Sequence, residues 1–440
     1  MPPLLPFIRR AFDASLPSEE FATQAKNPTD VFSVLLILGG DVVARALGQL
    51  VGSRLTPVAF SFGWVAYAVT AVVSAVGENK LMPASDFPCK VINGENGFVR
   101  DNYSWVIGRV VRDFETWMDK QPRAENGVPY PNTDVDGAKG EEGDGAAVQN
   151  PVEARVKEII ELSWENNKKR ARGKGRPEPK ERPPKAGLCV SVYRAKQASK
   201  RVPGYDIPYI AGYVTCLLQL GIAAIPCGLY GDWSILLITG AGTILAFASG
   251  AIPQWAKEKW ACRENTNKTF VLTKGNGSQH AIVIQGAGVG FDLEDLAAAD
   301  GGAITSRVTR LVVIAMAALW ILLLIAASGL SDNSWFLLAV GGLGILQNAY
   351  VAGTSREPEA FGMPLEFVEV IGKPSVMDTL FAVEDKYPRL GQSMVATLFP
   401  GELRSAEEQR WQGYRARRIE MEKQQRAEKE RQKAEKISQQ

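Results

Sequence analysis

The chain has one histidine in 440 residues, His280, so no histidine triad, dyad, relay or histidine-built metal cluster can form within it. Cysteine is scarce and scattered: Cys89, Cys189, Cys216, Cys227 and Cys262 include no CxxC pair, and two of them fall inside apolar runs. That spacing argues against a disulfide framework or a zinc site and for reduced, inert thiols. Neither charge sign is in real excess, because 50 Lys+Arg nearly cancel 48 Asp+Glu, and a global field drawing in nucleic acid or an acidic substrate is not expected. The amino terminus, with Pro2, Pro3, Pro6, Arg9, Arg10, Asp13, Glu19 and Glu20, lacks the long apolar core and small-residue cleavage pattern of a removable secretory signal.

The most informative absence is local. Residues 55–77, 207–231, 233–256, 311–331 and 333–355, of 23, 25, 24, 21 and 23 residues, contain no Asp, Glu, Lys or Arg. Each meets the roughly 20 residues that a helix needs to cross a bilayer, which excludes a wholly soluble, secreted or fibrous chain. A sixth apolar segment, 31–51, carries Asp41 and Arg45 four residues apart on one helical face, where they can pair. A charged pair inside a span is expected to face the bundle interior. It reads as a structural ion pair, as a gating or substrate-contact pair, or as part of a helix that lies on the interface without crossing.

Six crossing segments make a mainly α membrane protein of three helical hairpins (31–77, 207–256 and 308–355), with a small cytosolic α+β part and a charged C-terminal helix. Basic residues set the orientation: segments 1–30, 78–206, 257–310 and 356–440 hold 3, 23, 7 and 15 Lys+Arg, against Arg54 alone in the short turns. Both termini and the large loops (1–30, 78–206, 257–307 and 356–440) are therefore expected in the cytosol. The sequons at Asn102, Asn267 and Asn276 would then stay unmodified. Gly242, Ala246 and Gly250 on one face, with Gly341, Gly342 and Gly344, predict close helix contacts, either inside one chain or at a homo-oligomer seam. Trp64, Tyr67, Trp233, Trp255, Trp320 and Trp335 read as headgroup-level anchors, and Gln219, Gln347 and Asn348 as interhelical hydrogen-bonding groups more than a pore lining.

In the first large loop, 101–119 has helical spacing, with Tyr103, Val106, Ile107, Val110, Phe114 and Trp117 on one face and Arg109, Arg112 and Glu115 off it. It is expected to pack in a core, or to dock on the membrane through Trp105, Phe114 and Trp117. Residues 121–150 read as a disordered acidic linker, after which Pro151 opens a short helix. Residues 168–186 hold nine basic residues and four prolines, a basic Pro-rich linker. Lys168, Lys169, Arg170, Arg172, Lys174 and Arg176 form its candidate contact with anionic lipid, beside a plain solvated linker as the alternative.

Strands are predicted over 188–193, 269–273, 281–285 and 365–371, with a hairpin turn at 274–280. Gly286, Gly288 and Gly290 follow the third strand in GxGxG spacing, not GxGxxG, and acids crowd the next helix start, so a tight structural turn is favoured over a nucleotide site. Residues 404–436 alternate charges without a heptad seam and read as an exposed single helix, with a partner-binding coiled coil as the competing view.

The strings DVFSVLLILGGDV (30–42), TPVAFSFGWVAYAV (56–69) and KTFVLTKGNGSQHAIVI (268–284) resemble segments of uncharacterised multi-span integral membrane proteins of filamentous fungi. The resemblance covers the first hairpin and the middle cytosolic hairpin, implies membrane residence and carries no functional residue. The expected function is a non-catalytic scaffold or adaptor without cofactor or metal, meeting membrane lipid and cytosolic proteins but no nucleic acid. A transporter or channel using Asp41 and Arg45, and a nucleotide-using membrane enzyme, are the alternatives.

Overall fold

The computed structural model describes residues 29–53, 55–120, 150–202, 204–299, 305–330 and 332–438. Nearly all of 1–30 and of the acidic linker 121–150 lies outside them. In chain order the helices are α1 (Thr29–Leu50), α2 (Gly63–Val73, continued by a π turn at Ser74–Glu78), α3 (Trp105–Arg112), α4 (Phe114–Trp117) and α5 (Pro151–Gly173). There follow α6 (Ile207–Tyr230), α7 (Ser234–Gly250), α8 (Pro253–Lys259), α9 (Leu293–Ala298), α10 (Arg307–Ser328) and α11 (Ser334–Gly353), then α12 (Val376–Lys386), α13 (Leu390–Leu398) and α14 (Ser405–Ser438). The strands are β1 (Lys90–Asn93), β2 (Val99–Asp101), β3 (Leu188–Ala195), β4 (Thr269–Thr273), β5 (His280–Gln285) and β6 (Leu365–Lys373). The chain divides into two compact units, one from 1–83, 203–258 and 303–354, the other from 84–202, 259–302 and 355–440.

The first unit is helical. Among the described residues α6, α10 and α11 are long and apolar enough to cross a membrane, and α7 with α8, bent by 43° at a break, would make a fourth such span. Their ends follow local chemistry. Asp206 caps α6 by accepting from the Tyr209 N–H, with Pro208 in the first turn where its missing donor is harmless, and Gly231 closes the helix in the left-handed region. Ser306 caps α10 in the same way through the Thr309 N–H. Leucines and isoleucines such as Leu217, Leu229, Leu237, Ile244, Leu311 and Leu322 stay exposed, an outer surface suited to hydrocarbon.

Packing departs from three consecutive hairpins. Helix α1 packs on α2 and α11, α11 on α6, α6 on α7, and α10 on α7 and α2, which closes a ring of six. Helices α10 and α11, neighbours in sequence, pack on other helices instead of along each other. The α1–α2 crossing is close because a Cβ on Gly39 would meet the Gly63 backbone at 2.5 Å.

The second unit is an α/β sandwich. Its sheet has the order β2-β1-β4-β5-β3-β6, antiparallel throughout except for the β3/β5 pair. The four runs with a strand pattern in the sequence are β3, β4, β5 and β6; β1 and β2, of four and three residues, are too short to show one. Strand β3 is buried at seven of its eight positions, as a central strand covered on both faces must be, whereas β6 at the edge alternates. Helices α12, α13 and the start of α14 cover one face through Met377, Leu380, Phe381, Met394 and Trp411 over Val190, Val192, Val271 and Val283. Ile159 of α5 packs with Ala186 and Cys189 in a separate cluster.

Arg109, placed off the apolar face, is fully buried, because Asp86 lies 2.9 Å from it and the Trp105 ring 4.4 Å away. Trp105, Phe114 and Trp117 are equally buried, so α3 and α4 are core helices of this unit and have no free face for a membrane. The helix opened by Pro151 is 23 residues long and takes in Lys168 to Arg172, the first part of the expected linker. The C-terminal helix is not wholly exposed: Trp411 is 1% accessible and its ring lies 4.8 Å from that of Phe381.

Candidate functional site

Between α1 and α2 the chain runs without helix through 51–53 and 55–62, although 55–77 is free of charged residues. Pro57 is the local cause, since it lacks an N–H and biases Thr56 away from helical dihedrals. Thr56, Val58, Ala59, Phe60, Ser61 and Phe62 are all buried. Irregular backbone in apolar surroundings must find its hydrogen bonds inside the protein. Here the Tyr209 hydroxyl donates to the Leu55 carbonyl (3.0 Å), the Trp64 indole and Asn348 Nδ2 to the Ala59 carbonyl (2.9 and 3.0 Å), and Gln219 Nε2 to the Phe60 carbonyl (2.7 Å).

Small residues make the room. A Cβ on Gly212 would strike the Pro57 carbonyl, one on Gly344 the Phe60 carbonyl, one on Gly242 the Phe60 ring and one on Gly341 the Phe62 ring. The small-residue faces of α7 and α11 are therefore used within the chain, around this segment. Trp64, Trp320 and Phe60 stack beside it, with ring centroids 5.2 Å (Trp64–Trp320) and 6.2 Å (Phe60–Trp320) apart. Trp64, Tyr67, Trp255 and Trp320 are buried core residues, not headgroup anchors; Trp233 and Trp335 remain exposed.

The two amides have one-sided bonding. Gln219 Nε2 also donates to the Val340 carbonyl (2.8 Å), and Asn348 Nδ2 to Ser61 Oγ (3.3 Å). Gln219 is 0% and Asn348 1% accessible, and neither amide oxygen has a hydrogen-bond partner among the described residues. Sequence inspection picked out both residues as polar groups within spans. It missed the unwound segment they hold, although Pro57 near the start of the run was the signal.

The remaining candidates lie elsewhere. Asp41 and Arg45 pair at 2.8 Å, but their side chains are 73% and 42% accessible, so the pair does not face the bundle interior. The buried face of α1 is set by Gly39, Val43, Ala46, Leu47 and Leu50, and Asp41 lies off it. Of the basic set, Lys169, Arg170, Arg172, Lys174 and Arg176 are exposed, while Lys168 sits over the Trp164 ring at 3.1 Å. Arg172 bonds Glu178 at 2.5 Å, which holds the Glu178 carboxyl below the usual glutamate range.

The Gly286–Gly290 turn is filled from inside. Gly286 and Gly290 pack on the backbone of Thr266 and the side chain of Ala195, and Gly288 takes a φ of 78°. Asp292 accepts from the Glu294 and Asp295 N–H groups at the start of α9, where an anion would bind, and is paired with Lys268 (3.0 Å) and Arg263 (3.3 Å). His280 begins β5, its ring 5.1 Å from that of Phe114, and burial lowers its pKa from the ordinary 6.5. Burial pushes the Cys89, Cys189 and Cys262 thiols up to about 12. No group of three or more His, Cys, Asp or Glu suited to a metal occurs among the described residues. Comparison with protein-family models, curated proteins and solved structures returns no match.

Proposed function

We propose that the chain is a multi-span membrane protein with six crossing segments, α1, α2, α6, α7, α10 and α11, that holds a folded α/β unit and a charged helix on the cytosolic side as a non-catalytic scaffold or adaptor. The observation that carries this reading is the composition of the sheet. Its strands come from 84–202 (β1, β2 and β3), 259–302 (β4 and β5) and 355–440 (β6). Hydrogen-bonded strands must share one side of a bilayer, so an even number of crossings separates these sections. Two apolar helices lie in each gap, α6 with α7 and α10 with α11, and Asn333 Nδ2 donates to Asp232 Oδ2 at 3.2 Å between the two intervening turns. The basic-residue bias supports the cytosolic assignment.

On this reading the exposed Lys169, Arg170, Arg172, Lys174 and Arg176 meet anionic lipid, and the distal part of α14 meets cytosolic proteins. Kinship with multi-span membrane proteins of filamentous fungi belongs to the same proposal. Deletion of 422–440 is expected to leave membrane insertion unchanged and to remove protein partners recovered by cross-linking in cells. Sustained turnover of a lipid or soluble metabolite by the purified chain overturns the scaffold reading. A transporter or channel is the second reading, favoured by the unwound 55–62 segment inside a helical ring. Liposomes carrying the protein would show solute or ion flux if it holds.

A further inference from the structure

We propose that the apolar cleft between α2, α7 and α10, with Arg310 and Lys80 at its end, holds one acyl chain and the headgroup of an anionic phospholipid of the cytosolic leaflet. The inference rests on the membrane reading above and concerns a place within the helical unit, apart from the exposed basic residues of α5. The first ground is the cleft itself. Its free space, counted with its open mouth, is about 280 Å³, and its lining includes Tyr67 and Ala71 of α2, Leu81, Ser249 of α7, and Val313 and Trp320 of α10. Ser249 Oγ already accepts from the Trp320 indole N–H (3.4 Å), and most of the remaining lining is apolar. The volume lies below the about 300–1,000 Å³ of pockets that enclose a drug-sized molecule, so the cleft suits part of a flexible chain instead of a whole rigid ligand.

The second ground is charge at one end. Arg310 precedes Val313 by one helical turn, which puts both on one face of α10, and it donates to Asn79 Oδ1, two residues before Leu81. These two links hold the guanidinium at the end of the cleft, with Lys80 between Asn79 and Leu81. Neither Arg310 nor Lys80 forms an ion pair among the described residues. Glu258, on which the Lys80 charge acts, gives its carboxylate to the Leu81 and Met82 N–H groups (2.8 and 2.7 Å) and to Gln254 (2.8 Å), and Glu78 is exposed. Cations without carboxylate partners at the cytosolic ends of membrane helices are where acidic headgroups bind. The third ground is length. Arg310 and Trp320 are ten residues apart, about 15 Å along a helix axis, which matches one leaflet's half of the roughly 30 Å hydrocarbon core. A headgroup at Arg310 therefore sends its chain along the cleft toward Trp320.

The test uses the full-length protein purified in detergent, with retained lipid counted by native mass spectrometry after addition of phosphatidylserine or phosphatidylcholine. A phosphatidylserine with a photoreactive group near the end of one chain locates the site. One phosphatidylserine is expected to be retained at concentrations where phosphatidylcholine is not, and to cross-link to residues 313–320 of α10. Arg310→Gln is expected to weaken that retention about fivefold while the protein still folds, and Ala71→Leu, which fills the cleft, to remove the cross-link. Equal retention of the two lipids, retention unchanged in Arg310→Gln, or cross-linking only away from the cleft overturns the proposal. Release of the chain from membranes by sodium carbonate overturns the membrane reading itself, whereas a carbonate-resistant chain without lipid selectivity overturns this site alone.

Discussion

His280 lies with its ring against Phe114, beside Gln279, with Glu115 and Lys274 as the nearby charges. Burial disfavours the imidazolium, so its folded pKa lies below the 6.5 of an exposed histidine. Above 6.5 the ring is neutral in both states and contributes nothing; as pH falls through 6.5 the unfolded chain takes up the proton first, and the fold loses stability. His280→Gln is therefore expected to flatten the fall in stability of the sheet unit just below pH 6.5, measured by urea unfolding at a series of pH values. An unchanged slope would remove His280 as its source. Asp295 acts in the same direction at lower pH, because its bond to Arg263 depresses its pKa below 3.8 and that stabilisation is lost on protonation.

At the scale of elements, the 55–62 segment depends on glycines more than on its own sequence. Adding a side chain at Gly344 drives it into the Phe60 carbonyl, while the same change at Gly342 meets nothing within 4 Å. Gly344→Val is expected to cost several-fold in folded yield or to lower the melting temperature sharply, with Gly342→Val near wild type; equal behaviour would mean the close approach does not exist. Charge-free length identified 55–77 as a segment of membrane-crossing length, but its first eight residues, 55–62, are not helical, because Pro57 and the available hydrogen-bond donors decide backbone conformation there. The amphipathic spacing of 101–119 located a helix, yet the burial of Arg109 was invisible, since its partner Asp86 lies more than twenty residues away in sequence.

For the whole molecule, a single sheet sewn from three chain sections makes topology testable by chemistry. Cys89 and Cys189 are buried and Cys262 is half-buried, all three with thiols raised to about 12, so these three give little background to a thiolate-selective reagent. Asn276→Cys in the exposed β4–β5 turn and Asp232→Cys in the α6–α7 turn are expected to label from opposite faces of sealed membranes. Labelling of both from one face would break the even-crossing arrangement. Asn102 is 7% accessible, with Nδ2 donating to Ser85 Oγ and the Ser104 carbonyl, so a glycan at its sequon is not compatible with this fold.

Charge-free runs, alternating strands and caps are local properties, and so the sequence alone determined apolar segments of membrane-crossing length, four of the six strands and the structural turn at Gly286–Gly290. The tertiary structure decided what depends on residues far apart: the ring order of the helices, the outward place of Asp41, the docking of Trp411 and the cradle of Gln219 and Asn348 around an unwound chain. Periodicity records which face of an element is apolar, but only packing selects the neighbour that covers it and the donor that satisfies each buried carbonyl.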